Sequence, residues 1–139
     1  MVVEALKAAE ILQRLGIEVE VIDVRSLRPL DDELIFNSVA KTGRLIIADT
    51  GWGACGVSAE IATRVAESRF DELKAPIRRI CLADAPTPSS YALERVFYPG
   101  VQDIADTVMS LIQGKKQREL LGMTSSANEP IDKHFHGPF

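Results

Sequence analysis

Few residue types able to do chemistry occur in this chain, and they gather in four places. The first is a glycine-rich turn, Gly51-Trp52-Gly53-Ala54-Cys55-Gly56, set between an apolar run and a helical pattern. A strand, a glycine loop and a helix N-terminus can together bind phosphate, because unpaired amides and the helix dipole face the ligand. No Lys-Ser/Thr pair follows the turn, so it is not a Walker-type loop. It matches Gly-x-Gly-x-x-Gly, but a dinucleotide site places that motif after the first strand with an acid at a later strand end. Asp71 and Glu72 have the spacing yet lie beyond the helix, and close packing of helix on strand accounts better for the glycines. The second place is Cys55, ahead of the same helix, where a thiolate would be stabilised. A cysteine nucleophile needs a histidine base, and the only histidines, His134 and His136, lie near the end of the chain. Cys55 therefore reads as a small residue in a tight turn, and Cys81, inside an apolar run, as core. The third is His134-x-His136 itself, which with Asp132 could ligate a metal, although no further histidine completes a site. The fourth is a set of acids, Asp49, Glu60 and Asp84, at strand ends or a helix start. Ligand sites of α/β folds form there, but helix-dipole pairing and loop hydrogen bonds use the same residues. Trp52 suits either a partner anchor or core packing.

Composition narrows the classes that could use these residues. At 139 residues and 15.2 kDa the chain fits one compact domain, too short for most complete multidomain enzymes. It is 46% hydrophobic and 26% charged, with a net charge of −4. That balance argues against nucleic acid or an anionic membrane as partner, because counterion release needs a concentrated basic surface. No apolar run approaches the roughly 20 residues that span a bilayer. The first residues lack the basic-then-apolar pattern of a secretory leader, and two cysteines make no disulfide framework. A reducing, cytoplasmic location is expected.

The elements that must position the candidates can be read from periodicity. Val2–Leu15 places Val2, Ala5, Leu6, Ala8, Ala9, Leu12 and Leu15 on one half of a helical wheel, with Glu4, Lys7, Glu10 and Arg14 opposite. Gly16 ends that helix. Ile17–Val24 predicts a strand and, after Pro29, Asp31 or Asp32 caps a helix to about Lys41 that Gly43 closes. Leu45–Ala48 predicts a strand covered on both faces, and 57–68 a helix with Val57, Ile61 and Val65 inward. A third strand is expected at Ile77–Leu82, a rigid Asp84–Pro88 loop, a short helix near Ala92–Phe97 and a helix over Val101–Gln113. The result is a three-layer α/β/α sandwich with a mainly parallel sheet over residues 1–114, and a tail over 115–139.

Several stretches, in order, resemble the C-terminal domain of transketolase-like thiamine-diphosphate enzymes. They are Ala5-Leu6-Lys7-Ala8-Ala9-Glu10, Val21 through Asp31, Lys41-Thr42-Gly43-Arg44-Leu45, Gly56-Val57-Ser58-Ala59-Glu60-Ile61, Ala75-Pro76-Ile77, Asp84-Ala85-Pro86-Thr87-Pro88 and Leu93-Glu94. Within the family they look most like the beta subunit of the 2-oxo acid dehydrogenase component (pyruvate, acetoin or branched-chain). Asp49 stands where the family usually has Glu, and Cys55-Gly56 where it has a Gly-Gly pair.

The resemblance implies a domain that packs subunits together and helps dock the dihydrolipoyl acyltransferase core, alongside an alpha subunit and as a homodimer. Thiamine diphosphate and Mg are implied for the full enzyme. The family holds them with a Gly-Asp-Gly motif on the alpha subunit and a glutamate of the preceding domain, and this chain has no Gly-Asp-Gly. No catalytic, cofactor-binding or metal residue is therefore assigned to it, and the isolated chain is expected to be inactive. The chain also starts past the family's first strand, leaving a sheet edge that another segment or a second copy would cover. A transketolase or related synthase, or a stand-alone small-anion module using Gly51–Gly56, is the alternative reading.

Overall fold

Two helix pairs sandwich a very small sheet in this computed structural model, which describes residues 1–113. Helix α1 (Val2–Arg14) buries Ala8 and Leu12, one helical turn apart, against α5 (Val101–Gln113), which contributes Ile104, Ala105, Val108 and Met109. On the other side α2 (Asp32–Thr42) supplies Ile35 and Val39, and α3 (Val57–Arg69) supplies Ile61 and Val65. Between them run β1 (Ile46–Trp52) and β2 (Arg78–Leu82), paired in parallel with Ile46 opposite Arg78 and Ala48 opposite Ile80. Successive β1 residues point to opposite faces, so Ile46 and Ala48 join the α1–α5 core while Ile47 joins the α2–α3 core. A one-turn 3-10 helix (Phe70–Glu72) and α4 (Tyr91–Phe97) complete the described elements. This is the α/β layering expected.

Local signals set the element ends. The Asp31 carboxylate accepts the Leu34 amide at 3.0 Å, satisfying one of the four donors left open at the start of α2. Gly43 closes the same helix with φ +70°, where a side chain would also collide with Lys74. The peptide bond between Arg28 and Pro29 is cis.

Three sequence readings need correction. Residues 17–24 are extended but belong to no strand, and the sheet among the described residues has two strands, not three. Glu4, expected on the solvent side, is buried at 6% exposure and pairs with the Met1 ammonium at 3.1 Å, whereas Leu6 and Leu15 are exposed. The inward stripe of α1 is thus turned toward Met1, Ala5, Ala8 and Leu12. On α3, Val57 is exposed and Ser58 is fully buried instead. The expected tail over 115–139, with His134, His136 and Asp132, lies outside the described residues.

Candidate functional site

Asp49, Trp52 and Cys81 lie on β1 and β2 and Cys55, Glu60 and Asp84 on the segments that follow them, and the glycine turn decides what this end of the sheet can do. Inside the turn the Gly51 amide donates to the Asp49 carboxylate at 3.0 Å, an Asx-type closure. The Gly53 carbonyl accepts from Arg79 Nη1 at 2.6 Å, tying the turn to β2. At Gly56 a Cβ would lie 2.2 Å from the Trp52 carbonyl oxygen. A side chain at Gly56 would therefore collide with backbone, and the Gly51 amide is held by a carboxylate. The turn is a close-packed strand-to-helix corner.

The acids are similarly engaged. Glu60 reaches Arg64 at 2.8 Å one helical turn on, and Arg64 also bonds Asp32 of α2 at 2.8 Å. These two carboxylates, Glu60 first, raise the Arg64 pKa. The trio pins α3 to the start of α2, a positioning role rather than an acid–base one. Asp84 is exposed in the loop after β2. Cys55 is exposed with φ +56°, and Cys81 is half-buried with Ser58 Oγ 3.3 Å from its sulfur. Trp52 is more than half exposed at the end of β1, which favours the surface over the core. Among the described residues no group of three metal-ligating side chains occurs.

A second feature, on the opposite edge of β1, is larger. A cavity of about 420 Å³ runs between residues 18–24 and β1, covered by Ala5, Leu12, Ile104 and Val108 on one side and by Ile35 and Ile61 on the other. The segment forming its outer wall is tied to α2, where Ser38 donates to Glu20 at 2.7 Å and Lys41 pairs with the same carboxylate. Those two bonds, Lys41 first, hold the Glu20 pKa below its ordinary value. The Val- and Ile-rich run Ile17–Val24 is legible in the sequence; that this wall stands off the sheet is not.

A corner of packed glycines, acids locked in structural pairs and an apolar slot beside the sheet belong to a small α/β domain. Comparison with known proteins says which. The model of the transketolase C-terminal domain matches residues 1–104, and the chain belongs to that family. It is 51% identical over 104 residues to the mitochondrial pyruvate dehydrogenase E1 component subunit beta of Pisum sativum, covering 75% of this chain and 29% of that protein. With the corresponding subunit of Dictyostelium discoideum it shares 41% over 116 residues, 84% of this chain and 33% of the relative. It is 44% identical over 108 residues to the acetoin:2,6-dichlorophenolindophenol oxidoreductase subunit beta of Bacillus subtilis, 78% of this chain and 32% of that one. A solved structure described as a split gene transketolase, inactive beta4 tetramer, superposes with a TM-score of 0.68 at 26% identity, over 83% of this chain and 36% of the other. The chain thus spans about a third of the length of these curated relatives.

Proposed function

We propose that this chain is the subunit-association domain of a thiamine-diphosphate-dependent 2-oxo acid dehydrogenase beta subunit. In that role it works with an alpha subunit and a dihydrolipoyl acyltransferase core, in oxidative decarboxylation with acyl transfer to lipoyl. The observation that carries the reading is 38–51% identity to beta subunits of pyruvate and acetoin enzymes, spread over most of this chain but only about a third of theirs. The site chemistry is compatible: the glycine corner is filled, and Glu60 and Asp32 are committed to Arg64. The chain's own residues thus position elements and present surface, while thiamine diphosphate supplies carbanion chemistry elsewhere in the full enzyme. Tyr91, Leu93 and Val96 on α4 are exposed apolar side chains, suited to a protein contact and consistent with a homodimer or a larger assembly. Among the described residues no helix is long and apolar enough to cross a membrane. A cytoplasmic location is proposed on the two free cysteines, Cys55 and Cys81, alongside relatives in plants and Dictyostelium named as mitochondrial.

Reconstitution tests this. The purified chain is assayed for pyruvate-dependent decarboxylation alone, and then with an alpha subunit and the pyrimidine-binding portion of a beta subunit supplied as separate polypeptides. No turnover alone and cofactor-dependent turnover with all three is the expected result. Turnover by the isolated chain with thiamine diphosphate and Mg would overturn it.

A further inference from the structure

We propose that the corner where β1 and β2 begin is a docking surface for a short acidic segment of another polypeptide, held by Arg44, Lys74 and Arg78. Most other cations of the described chain are already engaged. Arg25, Lys41, Arg64 and Arg69 each hold a carboxylate, and Arg79 bonds the Gly53 carbonyl. By contrast the Lys74 and Arg78 side chains have no carboxylate or other acceptor among the described residues. The Arg44 guanidinium reaches only the nearby Thr42 carbonyl, at 3.5 Å. Arg14 in the last turn of α1 complements that helix's dipole. The three corner residues have no such use, because none of them lies on a helix.

Backbone pairing brings the three together. The Lys74 amide donates to the Gly43 carbonyl at 2.8 Å, and the carbons of its side chain lie over Gly43. Further along, the Arg78 amide donates to the Leu45 carbonyl at 3.1 Å, and Arg78 stands opposite Ile46 in the ladder. Arg44 sits between those two bonds. All three side chains are exposed, and they leave from about 10 Å of strand length. An extended peptide places side chains about 3.4 Å apart on alternating faces and about 7 Å apart on one face, so an acidic one offers each cation a carboxylate. Within the chain, Glu72, just before Lys74, is held by Arg69.

Charge and position select the partner. The chain carries a net −4, so an acidic segment is repelled over most of the surface and attracted here, which fixes where it docks. Nucleic acid needs a wider basic surface than three side chains on a net-negative protein. The corner also lies at the end where the parallel strands start, whereas small ligands of α/β folds collect where strands finish. Exposed cations on flexible stems suit a protein surface better than an enclosed substrate. The patch needs no companion domain, so it stands or falls separately from the dehydrogenase reading.

The test uses the full chain, labelled on its backbone nitrogens, titrated at about 0.05 M salt with an end-blocked hexapeptide of alternating Glu and Asp. Saturable amide shifts at residues 43–46 and 74–78 are expected, with affinity falling about tenfold at about 0.5 M salt, because exposed charges are screened. The triple variant Arg44→Gln, Lys74→Gln, Arg78→Gln should bind about tenfold more weakly while unfolding at the parent's temperature. The double variant Arg44→Lys, Arg78→Lys should stay within about twofold of the parent, since charge rather than shape does the holding. Absence of saturable shifts overturns the proposal, as does undiminished binding by the triple variant. Equal affinity for inorganic phosphate at the same amides overturns it in favour of a phosphate site. Equal shifts with phosphatidylserine vesicles overturn it in favour of a membrane surface.

Discussion

The two edges of β1 answer the same local sequence in different ways. Toward β2, Ile46, Ile47 and Ala48 find ladder partners, Arg79 clamps the Gly53 carbonyl, and Gly56 packs on the Trp52 backbone without room for a methyl group. Toward residues 18–24 the same three residues face a cavity, and the opposing wall is anchored by side chains to α2 rather than by backbone to the sheet. Sequence patterning alone makes both edges equally good strand neighbours. Pairing is a property of the edge, and the difference teaches that one side of this sheet is held by backbone and the other by side chains around a cavity.

The hardest blow to the finished side is Gly56→Ala. With Trp52 carbonyl oxygen 2.2 Å from the new methyl position, backbone must move, and a loss of about 3 kcal/mol in unfolding free energy is expected. Urea denaturation measures it. A neutral result would mean that the corner is loose and that the two edges are less different than the geometry says.

Leu12→Ala probes the cavity side. Leu12 is 1% exposed in the α1–α5 core but also borders the slot. Truncating a buried leucine costs about 2–5 kcal/mol, and a site already beside a cavity belongs near 2. The sharper expectation concerns position: the variant should raise exchange in α1 and residues 17–22 while leaving the β1–β2 pairing protected. Equal loss of protection throughout would show that both halves open as one unit.

What the sequence made legible follows the range of each interaction. Helix ends at Asp31 and Gly43 rest on contacts a few residues long, and they fall where the capping signals place them. The family was legible too, from spaced motifs such as Asp84–Pro88. The strand at Ile17–Val24 was not realised because pairing depends on a distant edge, and alternation at Val19 and Val21 carries no record of it. Glu4 was misplaced because its inward turn depends on the Met1 ammonium rather than on the wheel. At the site, Glu60 was read only as an acid at a helix start; its pair with Arg64 one turn on, and Arg64's bond to Asp32 across 32 residues, come from the fold.

A smaller effect should come from Cys55→Gly. Cys55 holds φ +56° in the corner, a conformation that costs an L-residue about 1–2 kcal/mol and glycine nothing. Glycine gives back part of that through a more flexible unfolded chain, about 0.4–1 kcal/mol. A net gain of about 0.5 kcal/mol is expected by thermal unfolding. A loss would place the thiol in a contact that the exposed position does not suggest.

The subtlest test is the charge that tethers the outer wall of the slot. Lys41 and Ser38 lower the Glu20 pKa from its ordinary 4.5, and Glu20 raises that of Lys41 from 10.5. A lowered carboxylate stabilises the fold above its unfolded pKa and loses that contribution as pH falls through the folded value. A raised amine contributes below its unfolded pKa and loses it as pH rises through the folded one. The tether is therefore complete between those limits, and both partners are exposed, so salt should weaken it. Glu20→Gln should be slightly less stable than the parent at pH 7 and low salt. The gap should close as the pH falls below 4.5 and through the lowered pKa of the folded parent, and narrow in high salt. Chemical shifts of residues 18–22 should move with it while those of Ile46–Leu82 pairing hold still, because Glu20 touches α2 and not the sheet. A gap that persists unchanged as the acid limb is titrated to its end would assign the tether to shape rather than charge, and the wall of the cavity would then be held by packing alone.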